Sequence, residues 1–266
     1  MKVLLFAIIL LLFSHGLNDY IFQTEKMVKR KAGGNFKGFI EHFLIVLSLN
    51  IVLMAFFTAR AFPYLVILSI LHILIDWGKY KLFKSESLTS FVLDQFFHIF
   101  TIVLIGLAIA DFLRPFFWGA YLQPYFQVFS TLTVYVYVVF GGAIFIKYAL
   151  LSPLVYIPRA EITTSGRIIG IIERILMTTL VAMGQVAAAG FVIAAKSIAR
   201  YKELDDKNFA EYYLIGTMLS MLLALFGRNS HKVLVPNIKT PPHHSRRTRR
   251  FKGGTKNLQY QYFQAW

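Results

Sequence analysis

FPYLVILSILHILIDWGKYKLF, residues 62–83, is apolar along most of its length, yet it carries His72 and Asp76 four residues apart, with Lys79 one turn further on. A helix needs about 20 apolar residues to cross roughly 30 Å of hydrocarbon. Within such a helix an imidazole or a carboxylate costs several kcal/mol unless something compensates it, and residues four apart share a face. The stretch therefore predicts a membrane-spanning helix whose polar face meets other helices bearing matching groups.

Such helices are encoded on both sides of it. The run 3–23 carries His15, Asp19 and Gln23 at successive spacings of four, and 38–59 carries His42 beside Glu41. The run 88–110 reverses the order, with Asp94 and Gln95 ahead of His98. Further apolar runs lie at 126–150, 167–200 and 209–226. The expected fold is all-α: a polytopic transmembrane bundle of about seven spans over residues 1–228. Within it, 1–110 form a four-helix part that bears the His/Asp groups, and 126–228 supply three more spans. The run 167–200 is too long for one straight crossing, so its first turns are expected along the interface. The β-branched and aromatic stretch 132–140 would favour a strand in water, but in lipid the backbone must bond to itself, which predicts a helix.

Composition agrees with a bilayer setting. The chain is 57% hydrophobic and 15% charged, with mean hydropathy +0.59, values foreign to ordinary soluble domains. Cysteine is absent, which excludes disulfides, cysteine zinc sites and thiol nucleophiles, so a metal would have to be held by His, Asp, Glu or backbone oxygen. The Met-Lys start and its apolar run also fit a secretory signal, but no small-x-small site follows, and the helix shares the polar pattern of its neighbours.

Lysine and arginine favour cytoplasmic loops. With the N-terminus outside, 20 of the 28 basic residues fall on the cytoplasmic side, including Lys26 to Lys37, Lys79, Lys81, Lys84, Lys147, Arg159, Arg167 and nine from Arg228 onward. This predicts a C-terminus in the cytoplasm and residence in the bacterial inner membrane. Residues 229–266 lack apolar periodicity and are expected to be a mobile basic tail resting on anionic headgroups. Nucleic acid is not an expected partner, because aromatic residues interleave with basic ones only at the extreme end.

Alternation of helix direction places His15, Asp19, His42, His72, Asp76, Asp94 and His98 at one depth near the cytoplasmic leaflet. Imidazole and carboxylate together suit zinc first, then manganese or ferrous iron, and seven donors exceed what one tetrahedral ion needs. A two-metal centre would activate water for attack at phosphorus or an ester. In that scheme Asp19 or Asp76 acts as general base, and Lys79 meets the phosphate of an amphiphile such as a phospholipid or polyprenyl phosphate, with Gln23 and Gln95 orienting. Interhelical hydrogen bonding alone would also place polar groups inside the bundle, although it rarely needs so many ionisable ones. The same cluster would serve a transporter as a coupling-ion site, or a non-catalytic partner subunit as a structural centre. Further along, Glu173, Arg174, Lys196, Arg200 and Glu211 are read as structural charges, with Glu211 pairing Lys196 or Arg200. Gly184 and the alanines after it make a narrow helix suited to close packing.

The run H15-x-x-x-D19-x-x-x-Q23, then H72-x-x-x-D76, D94-Q95-x-x-H98 and the segment 166–225 together resemble the bacterial membrane family catalogued as domain of unknown function 3307. That resemblance implies a membrane fold and no particular reaction. More distantly, the His and Asp pattern is similar to LexA-regulated inner-membrane proteins regarded as metal-dependent hydrolases. This second likeness implies hydrolysis at His15, Asp19, His72, Asp76, Asp94 and His98, although a His-Arg pair associated with those proteins is missing here.

Overall fold

A computed structural model describes residues 2–53, 55–83, 85–114, 122–152 and 164–234. Lys84, Arg159 and residues 235–266, which hold most of the expected basic tail, lie outside the described residues. The described part is helical throughout, and six of its helices are long and apolar enough to cross a membrane.

The first four of these form one unit. α1 (Lys2–Leu17) continues through a π-helical turn, Asn18–Phe22, and is followed by the short α2 (Glu25–Ala32), α3 (Phe36–Leu53), α4 (Phe62–Leu82) and α5 (Leu88–Ile109). Local chemistry starts them: the Thr24 hydroxyl accepts from Met27 N ahead of α2, and Ser87 and Ser90 cap each other reciprocally ahead of α5. Pro63 sits in the first turn of α4, where its missing N–H leaves no bond unmade. At the end of the unit away from the histidines, Thr58 N donates to Phe112 O and Arg114 N to Phe56 O, tying the α3–α4 connection to the close of α5.

The polarity is inverted relative to a soluble bundle. His42, His72, His98, Asp76 and Asp94 are buried, whereas Leu44, Val52, Leu74, Phe96, Phe100 and Leu107 are exposed. An apolar exterior of this extent fits lipid and not water. Away from the polar groups the unit is filled by Phe6, Leu10, Leu11, Phe57, Leu65, Ile102, Ile109 and Leu113.

The fifth span is helical, as lipid requires of its β-branched run. α6 (Leu122–Tyr135) passes through a π-helical segment, Val136–Gly141, into α7 (Gly142–Leu150). The sixth expected span is not one helix. α8 (Thr164–Ala182) and α9 (Val186–Ala199) are joined at Gly184, whose φ of 83° lies where glycine is free of strain. Gly184 N donates to Val181 O and Gln185 N to Leu180 O, a Schellman closure that ends α8 and reverses the chain. Lys196 Nζ lies 2.5 Å from Glu173 Oε2, and Ala189 packs with Met177 and Val181. The two helices therefore lie side by side as a hairpin.

α10 (Lys207–Leu234) completes the bundle and carries helix past Asn229, where the tail was expected to begin. Glu211 reaches Lys207 at 3.9 Å; the expected pairing with Lys196 or Arg200 fails because the hairpin gives Lys196 to Glu173.

The hairpin also changes where α10 ends. Phe6 packs on Phe126, and Tyr20 on Tyr137, so α1 runs parallel to the fifth span. Gly142 lies against Leu223 and Gly227 against Val134 and Val138, so α10 runs antiparallel to it. A hairpin returns the chain to the end it left, and the start of α1 and the end of α10 consequently share one end of the bundle. Seven crossings would instead set Lys2 and Leu234 at opposite ends.

Candidate metal centre

α1 and α4 run one way and α3 and α5 the other, so all four turn their polar faces to one point. His42 Nε2 lies 2.8 Å from His72 Nε2 and 3.3 Å from Asp19 Oδ1, and His72 Nε2 lies 3.1 Å from the same oxygen. His15 and His98 stack with ring centroids 4.8 Å apart, and His98 lies 4.3 Å from His72. Asp76 is placed between α4 and its neighbours, with Oδ2 3.5 Å from His42 and Oδ1 4.0 Å from His98 Nε2. All seven residues named from the sequence thus belong to one buried cluster. Glu41 does not join it and pairs outside with Arg30 at 2.6 Å.

Three groups within the cluster could hold a metal ion: His15, Asp19 and His98; Asp19, His42 and His72; and His72, Asp76 and His98. The second group has the tightest geometry. Bonds of about 2.0–2.1 Å to a tetrahedral ion place its ligands roughly 3.3 Å apart, close to the observed separations of 2.8–3.3 Å. Unpartnered polar atoms support the same reading, since buried donors and acceptors are otherwise almost always bonded. His15 Nδ1, Asp19 Oδ1, His42 Nδ1, Asp94 Oδ1 and His98 Nε2 are buried without a hydrogen bond. His98 Nδ1 donates to the Asp94 carbonyl at 2.9 Å, which fixes the tautomer and leaves Nε2 as a bare lone pair facing the cluster.

Other side chains hold these groups in position. Gln95 accepts from His15 Nε2 at 3.3 Å and from the Tyr20 hydroxyl at 2.5 Å, and its amide donates to Asp94 at 3.1 Å. Gln23 lies 3.3 Å from His42 Nε2. Lys79 reaches Asp94 Oδ2 at 3.5 Å.

Several participants do not stand out in the sequence. Ser14 donates to Asn50 at 3.1 Å, and Asn50 donates to Ser69 at 2.9 Å, which continues the polar column one level deeper. The signal is present, since Asn50 lies eight residues after His42, Ser69 three before His72 and Thr101 three after His98. Lys31 belongs by sequence to a run of loop charges, yet it is 1% exposed and its Nζ is 2.5 Å from Asp76 Oδ2. A cavity of about 10 Å³ lies between His15, Asn18, Asn50, His72, His98 and Thr101, roughly the room one water molecule needs. Leu11, Val46, Leu68 and Ile102 also line it, so apolar side chains flank the polar column there. Asn50→Leu removes both of its bonds and is expected to lower stability by about 1–2 kcal/mol. A reduced unfolding midpoint in detergent checks this, and an unchanged midpoint contradicts it.

No curated protein and no solved structure matches the chain. The family model described as "Protein of unknown function (DUF3307)" matches residues 7–116, a stretch that begins inside α1, ends just past α5 and does not reach 166–225. Every His and Asp of the cluster lies within it, so the part of the chain that builds the centre, residues 7–116, is the part similar to the DUF3307 family.

Proposed function

We propose that this multi-pass membrane protein binds a divalent metal ion at the His/Asp centre of its four-helix unit, zinc ahead of manganese or ferrous iron. One observation carries the reading: His42 Nε2, His72 Nε2 and Asp19 Oδ1 converge within 3.3 Å of one another inside a buried site. An all-nitrogen-and-oxygen donor set with two imidazoles suits those ions. A buried carboxylate beside neutral imidazoles is costly without a compensating positive charge, and a divalent ion supplies it.

The centre lies at the end of the bundle that carries Lys26, Lys29, Arg30, Lys79, Lys81 and Lys147. The hairpin brings Lys196, Arg200, Lys202 and Lys207 to that end as well, so the positive-inside rule puts the centre on the cytoplasmic side. Both ends of the described chain would then face outward.

Bound there, the ion would serve as a Lewis acid toward an ester or phosphate oxygen. The site's own residues supply the rest: Asp19 and the histidines hold the ion, and Asp76, with Oδ2 3.5 Å from His42 Nε2, adds negative charge beside it. Lys79 sits beside Asp94 as a cation for an anionic headgroup. The cavity of about 10 Å³ beside His72 and His98 admits a water but no headgroup, so hydrolysis of an amphiphile requires the helices to part at the cytoplasmic end. The flanking of the polar column by Leu11, Val46, Leu68 and Ile102 gives a coupled-transport reading less support than binding.

Elemental analysis of the protein purified in detergent tests the proposal. A stoichiometric divalent metal that is lost on chelation and regained on reloading is expected. A folded protein that retains none of zinc, manganese or iron after loading with each overturns it. Release of phosphate or fatty acid from inner-leaflet lipids by the loaded protein, and not by the apoprotein, would extend it to catalysis.

A further inference from the structure

Three carboxylates are buried in the centre, and two of them already have a fixed cation. Asp76 receives Lys31 at 2.5 Å, and Asp94 faces Lys79 at 3.5 Å. Asp19 is different: among the described residues its ion-pair neighbours are His15, His42 and His72, with no lysine or arginine.

Lys31 did not arrive there by accident of a long side chain. It lies on α2, a short helix with only Met27 and Lys31 buried, one above the other. α2 rests directly on the start of α3 at Gly38, where a Cβ would come within 2.8 Å of Arg30 Cβ and 3.1 Å of Lys31 N. The Thr24 cap fixes its beginning, and the Arg30–Glu41 pair at 2.6 Å clamps its outer face to α3. An ammonium group with 1% exposure is tolerated only where anionic partners replace its hydration, and Asp76 is placed to do so. His98 Nε2, 4.0 Å from Asp76 Oδ1, meanwhile has no hydrogen bond at all. With His72 given to the first site, Asp76 and the bare Nε2 of His98 remain as donors for a second ion in the His72, Asp76 and His98 group, but that carboxylate is occupied by a lysine.

Resting on the metal reading above, we infer that Lys31 is a tethered counter-ion standing in the second cation position, so that the centre takes one divalent ion, at Asp19, His42 and His72, instead of two. An ammonium and a divalent ion sharing one carboxylate repel each other strongly in a site that excludes water. The buried ammonium of Lys31 on α2 thus sets the stoichiometry of the centre.

Zinc bound per chain decides the matter, counted on the full chain in detergent after loading and desalting. The wild type is expected to hold one, Lys31→Met two, and Lys31→Arg one, because the guanidinium keeps the charge. Two in the wild type, one in Lys31→Met, or two in Lys31→Arg overturns the inference. None in the wild type instead sinks the metal reading itself, and this inference with it. Should Lys31→Met fail to fold, the charge-neutral pair Lys31→Met with Asp76→Asn serves in its place. It should bind one zinc with an affinity within a few-fold of the wild type, whereas a loss of 100-fold or more would make Asp76 a primary ligand and overturn the assignment.

Discussion

Asp19→Asn is expected to reduce the affinity for the divalent ion by at least roughly 100-fold, since even groups that only orient a ligand contribute about 10- to 100-fold. The substitution keeps shape and volume and removes, among the described residues of the centre, the carboxylate that no lysine balances. The helix ends that position it are untouched, so the folded bundle should persist, and the loss should appear in competition with a chromophoric chelator. Gln95→Leu should fall between Asp19→Asn and the wild type, at about 10-fold, because Gln95 holds His15 and Tyr20 without reaching the converging nitrogens. Equal affinity in Asp19→Asn and wild type would mean that the carboxylate is balanced by a proton on an imidazole and not by a metal.

The second large effect concerns the path of the chain. Because the sequence has no cysteine, any introduced cysteine is the sole thiol, and membrane-impermeant maleimide reports its side directly. Cysteines at Asn35 and Lys202, both exposed at the end of the bundle that holds the centre, are expected to label from one face. Cysteines at Arg60 and Asn229, also exposed, should label from the other. Seven crossings would exchange two of these, grouping Lys202 with Arg60 and Asn229 with Asn35. The experiment is all-or-none because a hairpin and a single span differ by one passage.

How far the sequence carries the fold follows from which interactions are local. His72 and Asp76, His15 and Asp19, and Asp94 and His98 each lie one turn apart, so their shared faces and common depth are legible before any contact is known. The helical state of 132–140 is legible too, because lipid leaves a backbone no other economical choice. The hairpin is not. Gly184 stands in a long, mostly apolar run beside Gln185, and glycine is common within membrane helices, so a left-handed turn is not distinguished from a packing residue. The excess length of 167–200 is the available clue, and an interfacial first turn accounts for it equally well. Lys31 is hidden for another reason. Its burial depends on α2 folding back onto Gly38, a tertiary contact, whereas its neighbours Lys29 and Arg30 share its composition and stay outside. The Glu211 pairing fails for the same cause as the hairpin, since the partner of Lys196 is decided by the reversal at Gly184.

The central claim, that the histidines and Asp19 hold a metal ion inside the bundle, is tested most directly by X-ray absorption at the metal edge of the zinc-loaded protein. The expected spectrum shows a first shell of nitrogen and oxygen near 2.0–2.1 Å, with the outer-shell pattern of at least two imidazoles that disappears in His42→Ala with His72→Ala. A shell of oxygen alone, or an imidazole signal that survives the loss of both residues, would place the metal elsewhere and contradict the assignment.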